Sequence, residues 1–196
     1  MPTKPFRIAG WLGAMTLLLA AGPAAADGFM SGQLGVFAPW QGDPGFMASV
    51  QLLGSGASGR SRWGGEFEYR NFESKIQGVN DVDVSSYVLR AMWQHHFRPE
   101  AVVTPYIGVG LGVTISAIDD NKVNNQLGSD DQDHIGGGFD GLVLLGVSAN
   151  IPGADYMSVF VEGRLGLAFA TAENGGDWDT EDVGGGSGSA GLRFRF

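Results

Sequence analysis

Apolar and polar residues alternate along eight stretches of the chain. Punctuated by Gly, Pro, Asn and Asp, these stretches are 29–37, 46–53, 62–71, 85–97, 105–116, 139–151, 157–170 and 187–196. Successive side chains of a strand point to opposite faces, so a period of two predicts β-strands. Long helices are disfavoured because 33 of the 196 residues are glycine. The pattern therefore predicts an all-β chain.

The two faces of these strands differ sharply in composition. One face is apolar, with residues such as Leu34, Phe67, Leu111 and Leu145, and the other carries the charges of the strand centres. No lysine occurs in the eight segments, although surfaces in water favour lysine. The polar face is thus typical of an interior, and an apolar exterior is typical of a transmembrane β-barrel. A soluble β-sandwich or lipocalin-like barrel is the alternative, with its polar face in water.

The lengths of strands and connections favour the membrane alternative. A tilted strand crosses the hydrocarbon with about 9–11 residues, and the sheet must close because a free edge would leave peptide groups unpaired. With an even number of strands, both termini lie in the periplasm and the longer connections lie outside. The outer connections are 38–45, 72–84, 117–138 and 171–186, and the inner ones are 54–61, 98–104 and 152–156. We therefore predict an eight-stranded antiparallel up-and-down transmembrane β-barrel.

The N-terminus has the pattern of a secretory signal peptide. Lys4 and Arg7 precede an apolar stretch over 8–21, and Ala24-Ala25-Ala26 forms an A-x-A cleavage site before Asp27. The apolar run is too short for a spanning helix, although a retained anchor is the alternative. The predicted domains are a cleaved signal peptide over 1–26 and an outer-membrane barrel over 27–196.

The net charge indicates which partners are expected, and the cysteine content indicates how the fold is stabilised. The formal net charge is −9, and loss of Lys4 and Arg7 with no acid takes it to −11. Nucleic acid is therefore not expected as a partner. The chain has no cysteine, so its stability depends on burial and a closed hydrogen-bond network rather than on disulfides.

The predicted lumen contains nearly matched charges. Its acids are Glu66, Glu68, Asp140 and Glu162, and its bases are Arg70, Arg90, Arg164, Arg193 and Arg195. An eight-stranded barrel is only wide enough to be filled by side chains, and buried charges are tolerable when paired. We expect a lumen charge network that plugs the barrel. A narrow conductance or gate, in which the pairs rearrange, is the alternative.

The sequence offers little material for catalysis. No strand pairs His with Ser in a His-x-Ser spacing, and we assign no catalytic or cofactor-binding residue. His95 and His96 end strand four beside Trp93 and Phe97, where such rings are ordinarily interfacial anchors. His134 lies in the third outer connection. A nucleophile and base brought together by the fold would be the exception, because such sites are recognised by geometry.

Two outer connections are strongly acidic. Their carboxylates are Asp119, Asp120, Asp130, Asp131, Asp133, Glu173, Asp177, Asp179, Glu181 and Asp182. Asp177-x-Asp179-x-Glu181 resembles part of a calcium loop but lacks its Gly and its distant Glu. We therefore predict no defined metal site, and expect loosely bound Ca²⁺ or Mg²⁺ bridging these loops to anionic lipopolysaccharide.

The C-terminal sequence "SAGLRFRF" resembles the assembly signal of bacterial outer-membrane proteins. A polar residue leads to Gly191, and the aromatics Phe194 and Phe196 lie two apart at the end. The strand "TPYIGVGLGVTIS" is similar to strands of small eight-stranded barrels, a family that includes the outer-membrane protein A barrel domain and the opacity proteins. The resemblance implies that Phe194 and Phe196 engage the assembly machinery during insertion.

These inferences converge on a non-enzymatic protein of the bacterial outer membrane. We expect a structural or surface-interaction protein of the adhesin or opacity type, in contact with membrane lipid and lipopolysaccharide, because loops carry binding on rigid scaffolds. A small-pore channel is the first alternative, and a lipid A-modifying barrel enzyme is the second.

Overall fold

The structure is a computed structural model that describes residues 27–76, 79–118, 134–174 and 177–196, with side chains placed over 27–73, 83–117, 136–169 and 183–196. The predicted signal peptide, 1–26, lies outside the described residues. Within the described ranges no helix has the length and apolar character needed to cross a membrane.

The described chain folds into antiparallel strands that close on themselves. The strands are β1 Gly28–Pro39, β2 Gly42–Ser55, β3 Ser61–Ile76, β4 Val79–His96, β5 Val103–Ile118, β6 His134–Ile151, β7 Ala154–Asn174, β8 Asp177–Asp182 and β9 Gly185–Arg195. The ladder runs β6-β5-β4-β3-β2-β1-β9-β7, and pairing of β6 with β7 closes the ring. The predicted eight-stranded antiparallel barrel is confirmed.

One edge of β7 pairs with two strands in succession. β7 is 21 residues long and pairs with β9 from Met157↔Phe194 to Gly166↔Gly185. Further along, the same strand pairs with β8 from Phe169↔Asp182 to Asn174↔Asp177. The expectation that 171–186 is a loop is wrong, because a continued ladder satisfies the backbone groups that a loop would leave to solvent.

Strand extension also replaces two other predicted loops. β1 reaches Pro39 and β2 starts at Gly42, and the β3–β4 ladder continues to Ile76↔Val79. The expected connections 38–45 and 72–84 are therefore largely strand. Residues 119–133 of the third predicted connection lie outside the described residues.

The first and last described residues, Asp27 and Phe196, lie at one end of the barrel, which we call the terminal end. The Gly28 amide donates to the Phe196 carbonyl at 2.9 Å, and the Phe196 amide donates to the Gly28 carbonyl at 2.9 Å. The connections at this end are 56–60, 97–102 and 152–153, close to those predicted. Gly59 and Gly153 adopt φ of +65° and +82° there, a region that favours glycine in turns. The opposite end is the loop end.

Apolar side chains cover the outside of the barrel, as the alternation predicts. Leu111 is 75% exposed and Leu145 is 64% exposed, although both lie in mid-strand. Aromatic rings form a belt at the terminal end: Trp63 lies 5.9 Å from Trp93, and His95 lies 5.3 Å from Phe97 between ring centroids. Apolar exteriors with aromatic belts are typical of membrane barrels.

The inside of the barrel is layered. Near the loop end, an apolar cluster comprises Phe37, Met47, Phe72, Val84, Ala168 and Val183. A second apolar cluster comprises Phe29, Leu53, Met92, Tyr106, Leu142 and Leu144. The charged side chains lie between these clusters and toward the terminal end. The lumen therefore contains the polar side chains that the alternation predicts and, in addition, two apolar clusters that the alternation does not indicate.

Candidate functional site in the barrel lumen

The centre of the lumen holds charged side chains from four strands. β3 supplies two glutamates and an arginine, β4 supplies Arg90, β6 supplies Asp140, and β7 supplies Glu162 and Arg164. They reach one place because inward positions alternate along each strand and the antiparallel register sets their height: Glu66 lies opposite Arg90, and Gly112 of β5 lies opposite Asp140. We call this the lumen network, and its members are Glu66, Glu68, Arg70, Arg90, Asp140, Glu162 and Arg164.

Glu66 is the most heavily bonded carboxylate of the lumen network. Its Oε1 accepts from Arg90 Nη1 at 2.6 Å and from Arg164 Nη1 at 3.0 Å. Its Oε2 accepts from Arg164 Nη2 at 2.8 Å and from Gln51 Nε2 at 2.7 Å. Two guanidinium groups therefore converge on a single carboxylate, which is 1% exposed.

Glu68 and Asp140 complete the pairing of the three arginines. Glu68 accepts from Arg70 Nε, from Arg90 Nη2 at 3.3 Å and from Arg164 Nη1 at 2.7 Å. Asp140 accepts from Arg90 Nε, from Arg90 Nη2 at 3.0 Å and from Arg70 Nη2 at 3.3 Å. Arg90 thus binds three carboxylates, and such charge-assisted bonds are the strong ones.

Glu162 extends the lumen network toward the terminal end. It accepts from Arg164 Nη2 at 2.6 Å and from the Tyr106 hydroxyl at 2.7 Å. Arg193 Nη2 lies 3.9 Å from Glu162 Oε1. With Arg193 included, four buried carboxylates face four buried arginines. This balance matters because an unpaired buried charge is strongly destabilising, whereas a paired and hydrogen-bonded one is tolerated.

The structure places eight of the nine sequence-predicted lumen charges inside the barrel. The exception is Arg195, which is exposed because it is the last residue of β9 and lies at the open terminal end. Arg62 was not among the predicted lumen charges, although it is only 8% exposed and points inward. The signal was available: Arg62 shares the period-two face of Glu66, Glu68 and Arg70 on the same strand.

The two neighbouring histidines occupy opposite sides of the barrel wall. His95 lies outside among the aromatic rings of the belt. His96 is fully buried in the lumen, where its ring stacks on Tyr106 at 4.7 Å and its Nε2 lies 3.2 Å from Gln94 Oε1. The expectation of two interfacial anchors is wrong for His96, because adjacent residues of a strand face opposite sides.

The described residues provide few features for catalysis or metal binding. No hydrogen bond joins His95 or His96 to a serine hydroxyl or a carboxylate within the described ranges. No group of three or more His, Cys, Asp or Glu that could hold a metal ion occurs among them either. The described side chains do not include His134 or the acidic residues of the outer connections. These acidic residues are Asp119, Asp120, Asp130, Asp131, Asp133, Glu173, Asp177, Asp179, Glu181 and Asp182.

The C-terminal residues of the predicted assembly signal lie in the closing strand. Phe196 is 78% exposed, and Phe194 pairs with Met30 on one side and Met157 on the other. Gly191 has a packing reason of its own. A Cβ added there would lie 2.8 Å from Cζ of the Phe160 ring and would meet the Gly32 carbonyl.

Solved structures of outer-membrane proteins have a similar architecture. The chain aligns with Neisserial surface protein A (NspA) at a TM-score of 0.60 and 17% identity, over 87% of this chain and 97% of the other. It aligns with the outer membrane protein OprG from Pseudomonas aeruginosa at 0.58 and 14%, over 89% and 98%. The chain has the fold of small outer-membrane β-barrels. No protein-family model matches it, and no curated protein matches it in sequence.

Proposed function

We propose that this chain is an integral protein of the bacterial outer membrane whose barrel is a non-conducting scaffold for surface interactions. One observation carries the proposal: the lumen network fills the middle of the barrel with mutually bonded charges. Glu66, Glu68 and Arg90 are each 1% exposed. Apolar clusters pack on the network's flanks. An interior this occupied suits a structural plug, because eight strands leave room for little beyond side chains.

A recording across a planar bilayer tests the plug directly. Protein purified in detergent, with heat-dependent gel mobility as the check of folding, is expected to give no steady current. The double variant Glu66→Ala/Arg164→Ala removes one acid and one base from the lumen network, and we expect it to conduct. Arg60→Ala/Glu100→Ala removes the same charges from exposed positions and should stay silent.

Each outcome of this recording decides between two functions. Steady current through the unaltered protein would overturn the scaffold and favour the runner-up, a small-pore channel in which the arginine–carboxylate pairs rearrange. Silence in the unaltered protein and in the Arg60→Ala/Glu100→Ala control supports the scaffold, whether or not the lumen variant folds.

The apolar exterior and aromatic belt support insertion into the outer membrane. The short terminal-end connections, 56–60, 97–102 and 152–153, support an orientation with both termini in the periplasm. In this orientation the long β3–β4 and β7–β8 extensions project outside the cell. A protease added to intact cells is expected to cut the loop end and to spare an epitope tag inserted in the terminal-end connection 56–60. A tag that is lost from intact cells would reverse the orientation.

The surface partner in this proposal is lipopolysaccharide. The acidic residues at 119–133 and 173–182 would associate with its phosphates through loosely bound divalent cations, for which no preformed cage is needed. Binding of the detergent-solubilised protein to lipopolysaccharide vesicles should increase with added Mg²⁺ and fall with a chelator. Vesicles of zwitterionic phospholipid are the control, and equal Mg²⁺ dependence for both would count against lipopolysaccharide.

The proposed function is non-enzymatic. The alternative, a lipid A-modifying enzyme, is tested separately. His96, the buried histidine, bonds to Gln94 in the described structure rather than to a carboxylate that would orient it as a base. Lipid A mass spectra of cells with and without the gene should be identical. A changed acylation pattern would restore the enzyme alternative.

A further inference from the structure

A cavity opens into the lumen at the terminal end. Its volume is about 110 Å³ and its lining includes the side chains of Arg62, Arg193 and Arg195. The hydroxyl residues Thr104 and Ser148 also line this cavity. Three arginines from two strands therefore converge on one small polar space outside the lumen network.

Arg193 is buried with unused hydrogen-bond donors. It is 2% exposed, and its Nε and Nη1 have no hydrogen-bond partner among the described residues. Its Nη2 reaches only Gln94 Oε1 at 3.5 Å and Glu162 at 3.9 Å. The guanidinium is held in place by the rings of Phe160 at 4.8 Å and Tyr106 at 5.2 Å. Buried donors of this kind are normally paired.

Arg62 of β3 repeats the arrangement. It is 8% exposed, its Nε has no partner in the described part of the chain, and its guanidinium lies 3.8 Å above the Phe29 ring. By contrast, Arg70, Arg90 and Arg164 each bond to carboxylates of the lumen network. Among the described residues, Arg62 Nε and Arg193 Nε and Nη1 thus have no hydrogen-bond partner.

The local charge favours an anion. Arg62, Arg193 and Arg195 outnumber the two carboxylates that line the cavity, Asp27 and Asp155. The positive charges of Arg193 and Arg195 also act unfavourably on Arg62. A bound anion would offset this repulsion, whereas a cation would increase it.

We propose that the terminal-end cavity is a binding site for one phosphate-type oxyanion, held by Arg62 and Arg193 with Arg195 at its mouth. Guanidinium forks match the geometry of phosphate oxygens bidentately, and a cavity of about 110 Å³ has room for an anionic group of this size. The anion is either free phosphate or the phosphate of a lipid headgroup whose tail stays outside. The assignment does not depend on the proposed scaffold function or on which compartment the terminal end faces.

Calorimetric titration of the whole protein in a nonionic, phosphate-free detergent buffer tests the site. One titrant is inorganic phosphate, and the other is a short-chain phosphatidic acid kept below its micelle concentration. We expect saturable binding of one anion per protein. Arg62→Gln and Arg193→Gln should each weaken it at least about tenfold, the usual effect of losing a charged hydrogen-bond donor.

Arg60→Gln is the matched control, because Arg60 is an exposed arginine two residues before Arg62 that does not line the cavity. It should bind like the unaltered protein. Binding of inorganic phosphate identifies a free anion, and binding of phosphatidic acid alone identifies a lipid headgroup. The proposal is overturned if neither titrant saturates, or if Arg60→Gln weakens binding as much as Arg62→Gln. Heat-dependent gel mobility shows which variants are folded, and Arg195→Gln, at an exposed position, tests the site if the buried variants do not fold.

Discussion

At the scale of single residues, the outward side chains of the barrel are those a lipid environment requires. Leu111 is among the most exposed apolar residues of the described chain, yet it lies in the middle of a ladder bonded on both sides. Exposure of large apolar side chains in mid-strand is unfavourable in water and favourable in hydrocarbon. The exposure of Leu111 therefore indicates that the outer face of the barrel lies in hydrocarbon.

Leu111→Arg should destabilise the barrel in lipid vesicles by about 2–4 kcal/mol, because arginine on the lipid face is costly near the midplane. Val102→Arg is the control: Val102 is 66% exposed but lies in a terminal-end turn, where the cost falls to about 0–1 kcal/mol. Denaturant titrations of vesicle-inserted protein measure both. Equal effects at the two positions would show that Leu111 does not face hydrocarbon.

Two glycines of the barrel wall, Gly146 and Gly163, differ in the space available for an added Cβ. A Cβ added to Gly146 would meet the ring of Tyr106, whose hydroxyl donates to Glu162 at 2.7 Å. A Cβ added to Gly163 meets nothing within 4 Å. Gly146→Ala should therefore cost about 1–3 kcal/mol through overpacking.

Gly163→Ala should be neutral or stabilising by up to about 1 kcal/mol, because glycine in a strand carries an entropic penalty. Denaturant-unfolding curves of the two variants provide the comparison. Similar destabilisation by both alanines would mean that the fit around Tyr106 is not the cause.

At the scale of elements, β8 is separate from the ring that closes the barrel. It pairs with the end of β7 from Phe169↔Asp182 outward, whereas closure depends on β9 and on the β6–β7 ladder. The loop-end hairpin is thus an extension that the barrel does not need for closure.

Replacing residues 172–179 by Asn-Gly should leave the barrel folded. Thr171 pairs with Thr180, and a two-residue Asn-Gly loop matches the twist of paired strands. The free energy of unfolding should change by less than about 1 kcal/mol, since loop length has a small entropic effect. Heat-dependent gel mobility and denaturant titration measure this.

Gly185→Pro is the contrasting change for the same ladder. Gly185 pairs with both Gly166 and Pro39 inside the ring, and the Cβ of a proline there would clash with the Ala38 carbonyl oxygen. This variant should lose barrel stability. If the Asn-Gly variant were equally impaired, β8 would belong to the cooperative unit.

Strand extents were the least predictable feature of the elements. Alternation located the membrane-spanning part of each strand, for example 105–116 inside β5 Val103–Ile118. It did not indicate that β3 and β4 continue toward Ile76 and Val79. Polar residues beyond the membrane have no apolar partner to keep the period of two visible, while their backbone groups still pair.

At the scale of the whole molecule, the terminal ring of Phe196 could act in assembly of the barrel in cells or in packing of the folded barrel, and the two roles can be distinguished. Phe196 and Phe139 are each 78% exposed, so neither ring buries much area in the folded barrel. Phe196→Ala should lower the amount of protein in the outer membrane of cells while leaving refolding into detergent unchanged, if an insertion machinery reads the terminal aromatic. Heat-dependent gel mobility quantifies both yields.

Phe139→Ala is matched in residue type and exposure but lies inside another strand, β6. It should affect neither yield. A parallel loss in cells and in vitro for Phe196→Ala would indicate packing, and normal yields in both would remove any role for the terminal ring.

The amino-acid sequence by itself determined which residues face outward and which face inward, because a strand's period of two is a local property. Hence the alternation alone assigns Leu111 and Glu66 to opposite sides of the wall. Tertiary structure decided what each inward residue meets. The Glu66–Arg164 contact spans 98 positions, and it depends on ring closure and on register, which no local pattern encodes.

The same distinction explains the errors and omissions. The inward direction of His96 follows from its alternation with His95 on one strand, but only closure puts its ring against Tyr106. Arg62 and Arg193 share a period with the paired arginines, but their height in the barrel places them where carboxylates are few. Alternation specifies the face of a side chain, and only the closed ladder specifies its depth and therefore its partners.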